Sequence, residues 1–386
     1  MQAIPPVRPL AHLLLVALSL FTSLAAVAQP AADTPAAPRT IDAPPDPATL
    51  PQVTVLGTGG TIAGVSQTPV SFQNYRGGTL PIQDMVKQLP RLDRVARVSA
   101  VQFANKGSSS YRIADLYDLS LAVDRTLESA DGVVVTTGTD TMEEIAYFLD
   151  LTVRSPKPVV VTGSMRPWTA LASDGPANLY NAIRLAASGR TRAFGTVIML
   201  NDTIHPAREV TKTNATRLDT FQTPQLGMVG YLDERGPRLY RVPARALRKE
   251  NWRTPFDLRT IDRSKLPAVE IVFSYQEAGG QAIDAFATSG VHGIVTAGTG
   301  GGGISQAQRE ARDRAIKKGV YFVTTTRTGS GSNYPSERET GSDHLLSGDN
   351  LNPQHARIFL LLALAFSNDP AQIARWFREY ASPVVE

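Results

Sequence analysis

Residues 132–141, GVVVTTGTDT, set the fold. The first four residues form a short apolar run rich in valine, and the run ends in a turn of threonine and glycine. Such a run, bounded by a turn signal, is typical of a buried strand. Residues 141–153 follow with helical spacing, with Thr141 as the predicted N-cap and Glu144 completing a capping box. The stretch therefore predicts a strand, a turn and a helix, the repeating unit of a parallel α/β sheet.

The same alternation continues on both sides of this unit. In the N-terminal half we predict strands at 53–56, 158–161 and 195–200 and a helix at 176–187. After a charged, proline-containing segment at 236–266, the pattern returns with strands at 269–273, 294–296 and 320–324 and helices at 305–318 and 353–366. The predicted fold class is α/β with two domains: a larger N-terminal parallel-sheet domain at 51–240, a linker at 241–265 and a smaller C-terminal α/β domain at 266–386.

The first residues have the pattern of an export signal. Arg8 supplies a positive charge, an apolar stretch begins at Leu13, and Ala26-Val27-Ala28 matches a cleavage site. We predict a signal peptide at 1–28, a disordered leader rich in alanine and proline at 29–50, and a periplasmic location. An uncleaved membrane anchor is the weaker alternative, because the apolar stretch is short and ends in small residues.

Composition excludes several classes of function. The chain has 386 residues, a formal net charge of +4 and no basic run, which argues against nucleic-acid binding. No second segment is apolar and long enough to hold the protein in a membrane after signal cleavage. The absence of cysteine rules out thiol catalysis and cysteine-based metal sites. We predict neither a metal nor a cofactor, because the histidines beyond the signal peptide show no metal-binding spacing: His205, His292, His344 and His355.

Threonine and glycine follow three predicted strands. These turns carry Thr58 with Thr61, Thr137 with Thr139, and Thr299. Ligands bind at the carboxyl ends of strands in open parallel sheets, and a threonine hydroxyl near a base can act as a nucleophile. Asp140 and Lys212 are charged groups that can join such a site. Each feature alone has a structural explanation: helix capping for residues 139–141, a solvated surface charge for Lys212 and a loop position for His205.

Taken together, these segments resemble the bacterial L-asparaginase/glutaminase family. Residues 56–64, LGTGGTIAG, resemble its first active-site signature, and residues 132–144 resemble its second. Four further segments agree in order: 163–167, 174–182, 210–214 and 351–357. The resemblance covers roughly residues 52–382, and the predicted signal peptide indicates the exported, type II branch.

The resemblance implies roles for individual residues. Thr61 would be the nucleophile that forms an acyl ester, and Tyr75, on a mobile lid, would help to accept its proton. Thr139, Asp140 and Lys212 would form a second cluster in which the ammonium helps a hydroxyl to lose its proton. Backbone N–H groups near Thr139 would stabilise the oxyanion, and the sequence leaves open which threonine attacks first. The implied substrate contacts are Gly60, Ser108, Ser109, Thr139, Asp140 and Ser164.

Three positions depart from the family pattern. Residues 300–303 are all glycine, where the family usually has an asparagine in a loop that reaches a neighbouring subunit's active site. The matching acidic residue is either Glu337 or Glu339. Ser109 stands where many relatives have glutamine or glutamate, so substrate preference is a point on which this chain can differ.

We therefore predict an L-asparaginase that hydrolyses L-asparagine to L-aspartate and ammonia through a threonine acyl-enzyme. A broad-specificity periplasmic glutaminase-asparaginase is the alternative, because one methylene distinguishes the two substrates only modestly. A non-catalytic periplasmic amino-acid binding protein is the alternative of another class, but a binder needs no threonine nucleophile. The resemblance implies a homotetramer built from dimers.

Overall fold

The computed structural model describes residues 45–248, 252–333 and 342–384. The predicted signal peptide, most of the predicted leader, and both Glu337 and Glu339 lie outside these ranges. Within them, no helix has the length and apolar character needed to cross a membrane.

A mixed eight-stranded sheet forms the larger layer of the fold, in the order β12-β11-β8-β7-β6-β5-β1-β4. The strands from β7 to β4 in this order run parallel, and the remaining three add antiparallel at one edge. The strands of this sheet are Gln52–Gly57 (β1), Arg97–Gln102 (β4), Gly132–Thr136 (β5), Val159–Thr162 (β6), Thr196–Leu200 (β7), Thr203–Pro206 (β8), Gly230–Asp233 (β11) and Gly236–Leu239 (β12).

Two short hairpin-like pairs project from this layer. Val65–Ser66 (β2) pairs with Tyr75–Arg76 (β3), and Thr211–Lys212 (β9) pairs with Phe221–Gln222 (β10). Both pairs are antiparallel, and each carries one residue of the predicted site, Tyr75 or Lys212.

A smaller sheet of four parallel strands follows in the C-terminal half, in the order β13-β14-β15-β16. Its strands are Val269–Phe273 (β13), Gly293–Gly298 (β14), Tyr321–Thr326 (β15) and Leu345–Ser347 (β16). The two sheets and their helices confirm the predicted α/β class, with a larger N-terminal and a smaller C-terminal part.

Helices cover the sheets and connect the parallel strands, as right-handed crossover connections require. In chain order they are Ile82–Lys87 (α1), Ile113–Ser129 (α2), Met142–Thr152 (α3), Gly175–Ala187 (α4), Ala244–Leu247 (α5), Gln281–Ser289 (α6), Gln306–Ile316 (α7), Pro353–Phe366 (α8) and Pro370–Trp376 (α9).

One hydrophobic core joins the two sheets through α3 and α8. Every residue of β5 and β6 is buried, as expected for parallel strands that are covered on both faces. Tyr147 and Phe148 of α3 and Phe359 of α8 are fully buried in the same cluster. Because α3 also begins directly after Asp140 and Thr141, the packing of this core fixes the position of the predicted site.

The predicted capping box at α3 is wrong. Thr141 is the N-cap, but its side chain makes no capping hydrogen bond. The backbone N–H of Thr141, which Glu144 would have to bind, instead donates to Ser108 Oγ at 3.2 Å. Glu144 lies 3.6 Å from the Arg357 guanidinium of α8 and forms an ion pair with it. The helix start is therefore anchored by a contact from a distant segment.

The carboxyl ends of β1, β5 and β6 lie level at one edge of the large sheet. Gly57 of β1 stands opposite Thr136 of β5, which stands opposite Thr162 of β6. The turns that follow continue this order, since the Thr58 N–H donates to the Thr136 carbonyl at 3.0 Å and the Thr137 N–H donates to the Thr162 carbonyl at 2.9 Å. Three turns are thus held side by side.

Candidate active site

The turn after β1 presents Thr61 to a tyrosine. Gly59 and Gly60 have φ values of +101° and +88°, a backbone region that side chains other than glycine rarely adopt. This turn leads into Thr61, whose Oγ1 lies 2.7 Å from the phenol oxygen of Tyr75. The Tyr75 ring lies close over Gly64, where an added Cβ would come within 2.8 Å of the ring. We call these two residues the Thr61–Tyr75 pair.

The turn after β5 presents Thr139 and Asp140 to a lysine. The Lys212 Nζ donates to Thr139 Oγ1 at 3.0 Å and to Asp140 Oδ1 at 2.8 Å. Thr139 is buried, the Lys212 side chain is 16% exposed and the Asp140 side chain is 72% exposed. An ion pair with one such exposed partner contributes little to stability, so its geometry is more informative about chemistry than about folding. We call these three residues the lysine cluster.

The two turns pack against each other through their glycines. A Cβ built on Gly60 would lie 2.2 Å from the Gly138 nitrogen. Only glycine permits this approach, which brings the backbone of the Thr61 turn onto the backbone of the Thr139 turn. Gly60 and Gly138 therefore place the turn that carries Thr61 in direct contact with the turn that carries Thr139.

The turns after the neighbouring strands β1 and β5 touch each other because both carry a glycine at the point of contact. Gly60 and Gly138 make that contact, and no side chain lies between them. The Thr61–Tyr75 pair and the lysine cluster therefore belong to the same edge of the sheet.

The three predicted serines differ in how free their hydroxyl groups are. Ser108 is buried beside Gly138, and its Oγ accepts the Thr141 N–H. Ser109 is exposed. Ser164 is fully buried, and its hydroxyl donates to the Arg166 carbonyl at 2.5 Å. Ser108 thus lies at the Thr139 turn, whereas the Ser164 hydroxyl is engaged within its own turn.

Asp174 is a residue of this region to which the sequence analysis gives no role. Its carboxylate accepts the backbone N–H groups of Met165 and Arg166, both at 2.9 Å. Asn178, one turn into α4, donates from its side-chain amide to Asp174 and to the Gly163 carbonyl, both at 3.0 Å. The segments 163–167 and 174–182, which resemble the family, therefore bind each other. The signal that could have found this contact is the occurrence of both segments in the family pattern.

The third Gly-Thr turn does not share these partners. Thr299 is exposed, and its Oγ1 donates to the Gly303 carbonyl at 3.1 Å, within the same loop. The Thr299 N–H and the Gly303 N–H donate to each other's carbonyl, both at 2.8 Å. The loop of residues 300–303 is further held by Asn333, whose side-chain amide donates to the Gly301 carbonyl at 2.8 Å. Similar turn sequences therefore have different surroundings.

His205 is a strand residue and not a loop residue as the sequence analysis suggested. It lies in β8, is buried, and its Nδ1 is 2.8 Å from Thr223 Oγ1. Burial, with a smaller contribution from the nearby Arg241 guanidinium, lowers the pKa of His205 to about 4. The imidazole is therefore neutral at ordinary pH. Its contact is with Thr223, and no contact with the threonines of the candidate site is present among the described residues.

Glu143 contacts the backbone of the lysine cluster. Its Oε2 accepts the backbone N–H of Lys212 at 2.7 Å. The carboxyl group is buried, and this burial raises the pKa of Glu143 to about 7 in spite of hydrogen bonds from Thr211 and Lys212. No sequence pattern indicates a role for Glu143, because its partner is a backbone group and a backbone group is the same in every residue type.

Acidic and histidine side chains do not gather into a metal site here. Within the described ranges, no group of three or more His, Cys, Asp or Glu side chains is placed to hold a metal ion. The polar groups of the site are instead hydroxyls, one ammonium and one exposed carboxylate, which suit acyl transfer by a hydroxyl nucleophile.

Known proteins are similar to this chain over most of its length. Residues 52–245 match the family model described as "Asparaginase, N-terminal", and residues 268–377 match the "Glutaminase/Asparaginase C-terminal domain". The chain is 40% identical over 333 residues to L-asparaginase 2 of Bacillus subtilis, covering 86% of this chain and 87% of that protein. It is 37% identical over 334 residues to the "Probable L-asparaginase periplasmic" of Haemophilus influenzae, covering 86% of this chain and 94% of that protein.

A solved structure also superposes on this fold. It is described as a probable cytoplasmic L-asparaginase from Campylobacter jejuni, with a TM-score of 0.81 and 37% sequence identity. The match covers 86% of this chain and 100% of that one. Two family models that together span most of the described chain, and relatives of this identity, show that the chain belongs to the asparaginase/glutaminase family.

Proposed function

We propose that this protein is a type II L-asparaginase that hydrolyses L-asparagine to L-aspartate and ammonia through a threonine acyl-enzyme. One observation carries the proposal. At the same edge of the sheet, two threonine hydroxyls each contact a side chain that can accept or donate a proton. Thr61 lies 2.7 Å from the Tyr75 phenol, and Thr139 lies 3.0 Å from the Lys212 ammonium. A binding protein has no need for either pairing.

In the proposed first step, Thr61 Oγ1 attacks the carbon of the substrate's side-chain amide. The hydroxyl proton moves toward the Tyr75 oxygen, and the carbonyl oxygen becomes an oxyanion that backbone N–H groups near Thr139 stabilise. The oxyanion then re-forms the carbonyl as the C–N bond breaks, the leaving nitrogen takes up the proton that Thr61 released, and ammonia departs from a threonine ester. Attack by water on that ester releases aspartate and restores the Thr61 hydroxyl.

The lysine cluster supports this chemistry in our proposal. The Lys212 ammonium lowers the cost of removing a proton from Thr139 and orients Asp140. Asp140 has an exposed carboxylate, which suits an ion pair with the substrate's α-ammonium group. Ser108 is proposed to bind the α-carboxylate, and Gly60, Ser109 and Ser164 are proposed as further substrate contacts.

Hydrolysis of glutamine as well as asparagine is the second candidate activity. The family to which the chain belongs includes glutaminases by name, and a pocket distinguishes one methylene only modestly. The exposed Ser109, at the position where many relatives carry a longer polar side chain, supports a difference in preference.

We also propose a periplasmic protein with a cleaved signal peptide at 1–28 and a leader at 29–50. The name of the Haemophilus influenzae relative supports this location, whereas the name of the Campylobacter jejuni structure points to the cytoplasm for that protein. We propose a domain at 51–240, a linker at 241–265 and a domain at 266–386; a division in this region is supported by the family matches, one of which ends at 245 and the other of which begins at 268. A homotetramer built from dimers remains our proposal for the assembly.

Ammonia release by the purified protein tests the function. We expect ammonia from L-asparagine with a kcat above that for L-glutamine, and unchanged rates in the presence of EDTA. Binding of asparagine without ammonia release would identify an amino-acid binding protein instead. Equal kcat/KM for both amides would favour the glutaminase-asparaginase.

A further inference from the structure

The position of Lys212 depends on a strand of only two residues. Strand β9, Thr211–Lys212, pairs with Phe221–Gln222 and is not part of either large sheet. Such a short pair gives little stability of its own. A second contact is needed to hold the ammonium within hydrogen-bonding distance of both Thr139 and Asp140.

Glu143 supplies that contact from the first turn of α3. Its carboxylate accepts the Lys212 N–H at 2.7 Å and a hydrogen bond from the Thr211 side chain. The same carboxylate lies four residues after Thr139, in the segment that carries the rest of the lysine cluster. The Glu143 side chain therefore links the Lys212 backbone to the turn whose residues the Lys212 ammonium contacts.

We propose that Glu143 is a positioning residue, whose ionised carboxylate holds the backbone of Lys212 so that Nζ reaches Thr139 and Asp140. The inference rests on the proposed function, since it assigns a role within the proposed lysine cluster. The Glu143 carboxylate accepts the backbone N–H of Lys212 and does not act through the Lys212 side chain. Glu143 is therefore not itself a catalytic residue.

Burying the ionised Glu143 carboxylate costs free energy, and its hydrogen bonds to Thr211 and Lys212 offset part of that cost. An ionised acceptor makes hydrogen bonds roughly twice as strong as a neutral one. Burial and, to a smaller extent, the neighbouring Glu144 raise the pKa of Glu143 to about 7 against the opposing hydrogen bonds from Thr211 and Lys212. Protonation of Glu143 at acid pH therefore weakens its hold on Lys212.

Two titratable groups lie next to Glu143, and their pKa values shift in opposite directions. His355 of α8 lies against the Glu143 backbone, and burial, with the nearby Arg208, lowers its pKa to about 3. Burial raises the pKa of Glu144, and the Arg357 guanidinium at 3.6 Å opposes this shift. Glu143, however, is the carboxylate that accepts the Lys212 N–H. A variant of each carboxylate therefore separates the two titrations.

The test compares Glu143→Gln with Glu144→Gln, its neighbour on the same helix. We expect kcat of the unaltered enzyme on asparagine to rise with pH through about 7, as Glu143 loses its proton. Glu143→Gln should lower kcat at pH 8 by about tenfold, change KM by less than about twofold, and remove that rise. Glu144→Gln should keep both kcat and the rise. A Glu143→Gln enzyme with unchanged kcat and an unchanged pH profile would overturn the proposal.

Hydrogen–deuterium exchange on the full chain gives a readout that needs no activity. At pH 8, Glu143→Gln should increase exchange in the peptide that spans Lys212 by about tenfold, and Glu144→Gln should leave it unchanged. Equal exchange in the unaltered protein and Glu143→Gln would overturn the positioning role. If the unaltered protein releases no ammonia from asparagine, the proposed function fails, and the exchange result still decides whether Glu143 holds Lys212.

Discussion

The turns after β1 and after β5 have similar sequences but gain their chemistry in different ways. Thr61 follows two glycines and meets Tyr75 from a two-residue strand pair nearby in sequence, fourteen positions away. Thr139 lies at the start of a buried helix and meets Lys212 from a segment 73 positions away. Thr61 is only partly buried, whereas Thr139 is buried. The Thr61 hydroxyl is therefore the more accessible of the two, and the Thr139 hydroxyl is the more enclosed.

A third turn of the same kind, at Thr299, sharpens this contrast. Its threonine bonds to Gly303 of its own loop, and its glycines give it a tight closed shape. A threonine after glycine at a strand end is therefore not a site by itself. Thr61 and Thr139 differ from Thr299 because another segment brings a side chain to the hydroxyl of each. Substitution of each partner tests its contribution.

Thr61→Ala should have the largest effect. Removal of the proposed nucleophile should lower kcat by several orders of magnitude while the protein still binds asparagine, because no other hydroxyl can form the ester at that position. Ammonia-release kinetics and calorimetric binding measure the two quantities. Thr61→Ser keeps a hydroxyl and serves as the control, with much of the activity retained. Near-normal turnover in Thr61→Ala would move the nucleophile to Thr139.

Lys212→Met should come next, with kcat lowered by about 10²-fold, the usual scale of general acid–base help. The substitution keeps most of the volume of the side chain and removes its charge. Its melting temperature should change little, because the partner Asp140 is exposed and such a pair contributes little to stability.

Lys157→Met is the matched control for that variant. Lys157 is also partly buried, and its ammonium donates to the carbonyls of Leu127 and Ala130, both at 2.8 Å. It should show the opposite pattern, a lower melting temperature with unchanged kcat, because buried carbonyls lose their donor. Normal turnover in Lys212→Met would separate the lysine cluster from the chemistry.

Tyr75→Phe should lower kcat by about tenfold, the scale of one neutral hydrogen bond to the reacting group. The ring of phenylalanine keeps the packing over Gly64, so the shape of the turn is preserved. Steady-state kinetics with asparagine measure the effect. An unchanged kcat would mean that the Thr61–Tyr75 hydrogen bond orders the turn without taking part in proton transfer.

Much of the fold follows from the sequence because its central strands are buried on both faces. The valine runs of β5 and β6 are short and rich in β-branched residues, and such continuous apolar runs indicate parallel strands that are buried on both faces. Helix α2 was not predicted, although Leu116, Leu119 and Val123 recur at helical spacing on its buried side. Its N-cap is Arg112, which is not one of the usual N-cap residues, so the start signal was missing.

The site was predictable only as far as the family signatures reach. Thr61, Thr139 and Lys212 lie within matched segments, and the structure brings the latter two together. Glu143 also lies in a matched segment, but its contact is with a backbone N–H 69 positions away. A backbone partner leaves no mark on residue type or spacing, so only three-dimensional structure reveals it.

Thr299→Ala should have the smallest effect and completes the comparison. Its Oγ1 donates at 3.1 Å to a carbonyl that already accepts the Thr299 N–H at 2.8 Å, so the loop keeps a bond when the hydroxyl is removed. Thr299 is exposed, and the lost contact should change kcat by less than about twofold and melting temperature by a degree or so. Thr139→Ala is the matched change in the large sheet and should lower kcat by about 10²-fold. The two are measured side by side with asparagine, on the same full-length protein. If Thr299→Ala lost as much activity as Thr139→Ala, Thr299 would have to contact a reacting group outside its own loop. The proposed difference between the Thr299 turn and the two turns of the large sheet would then be wrong.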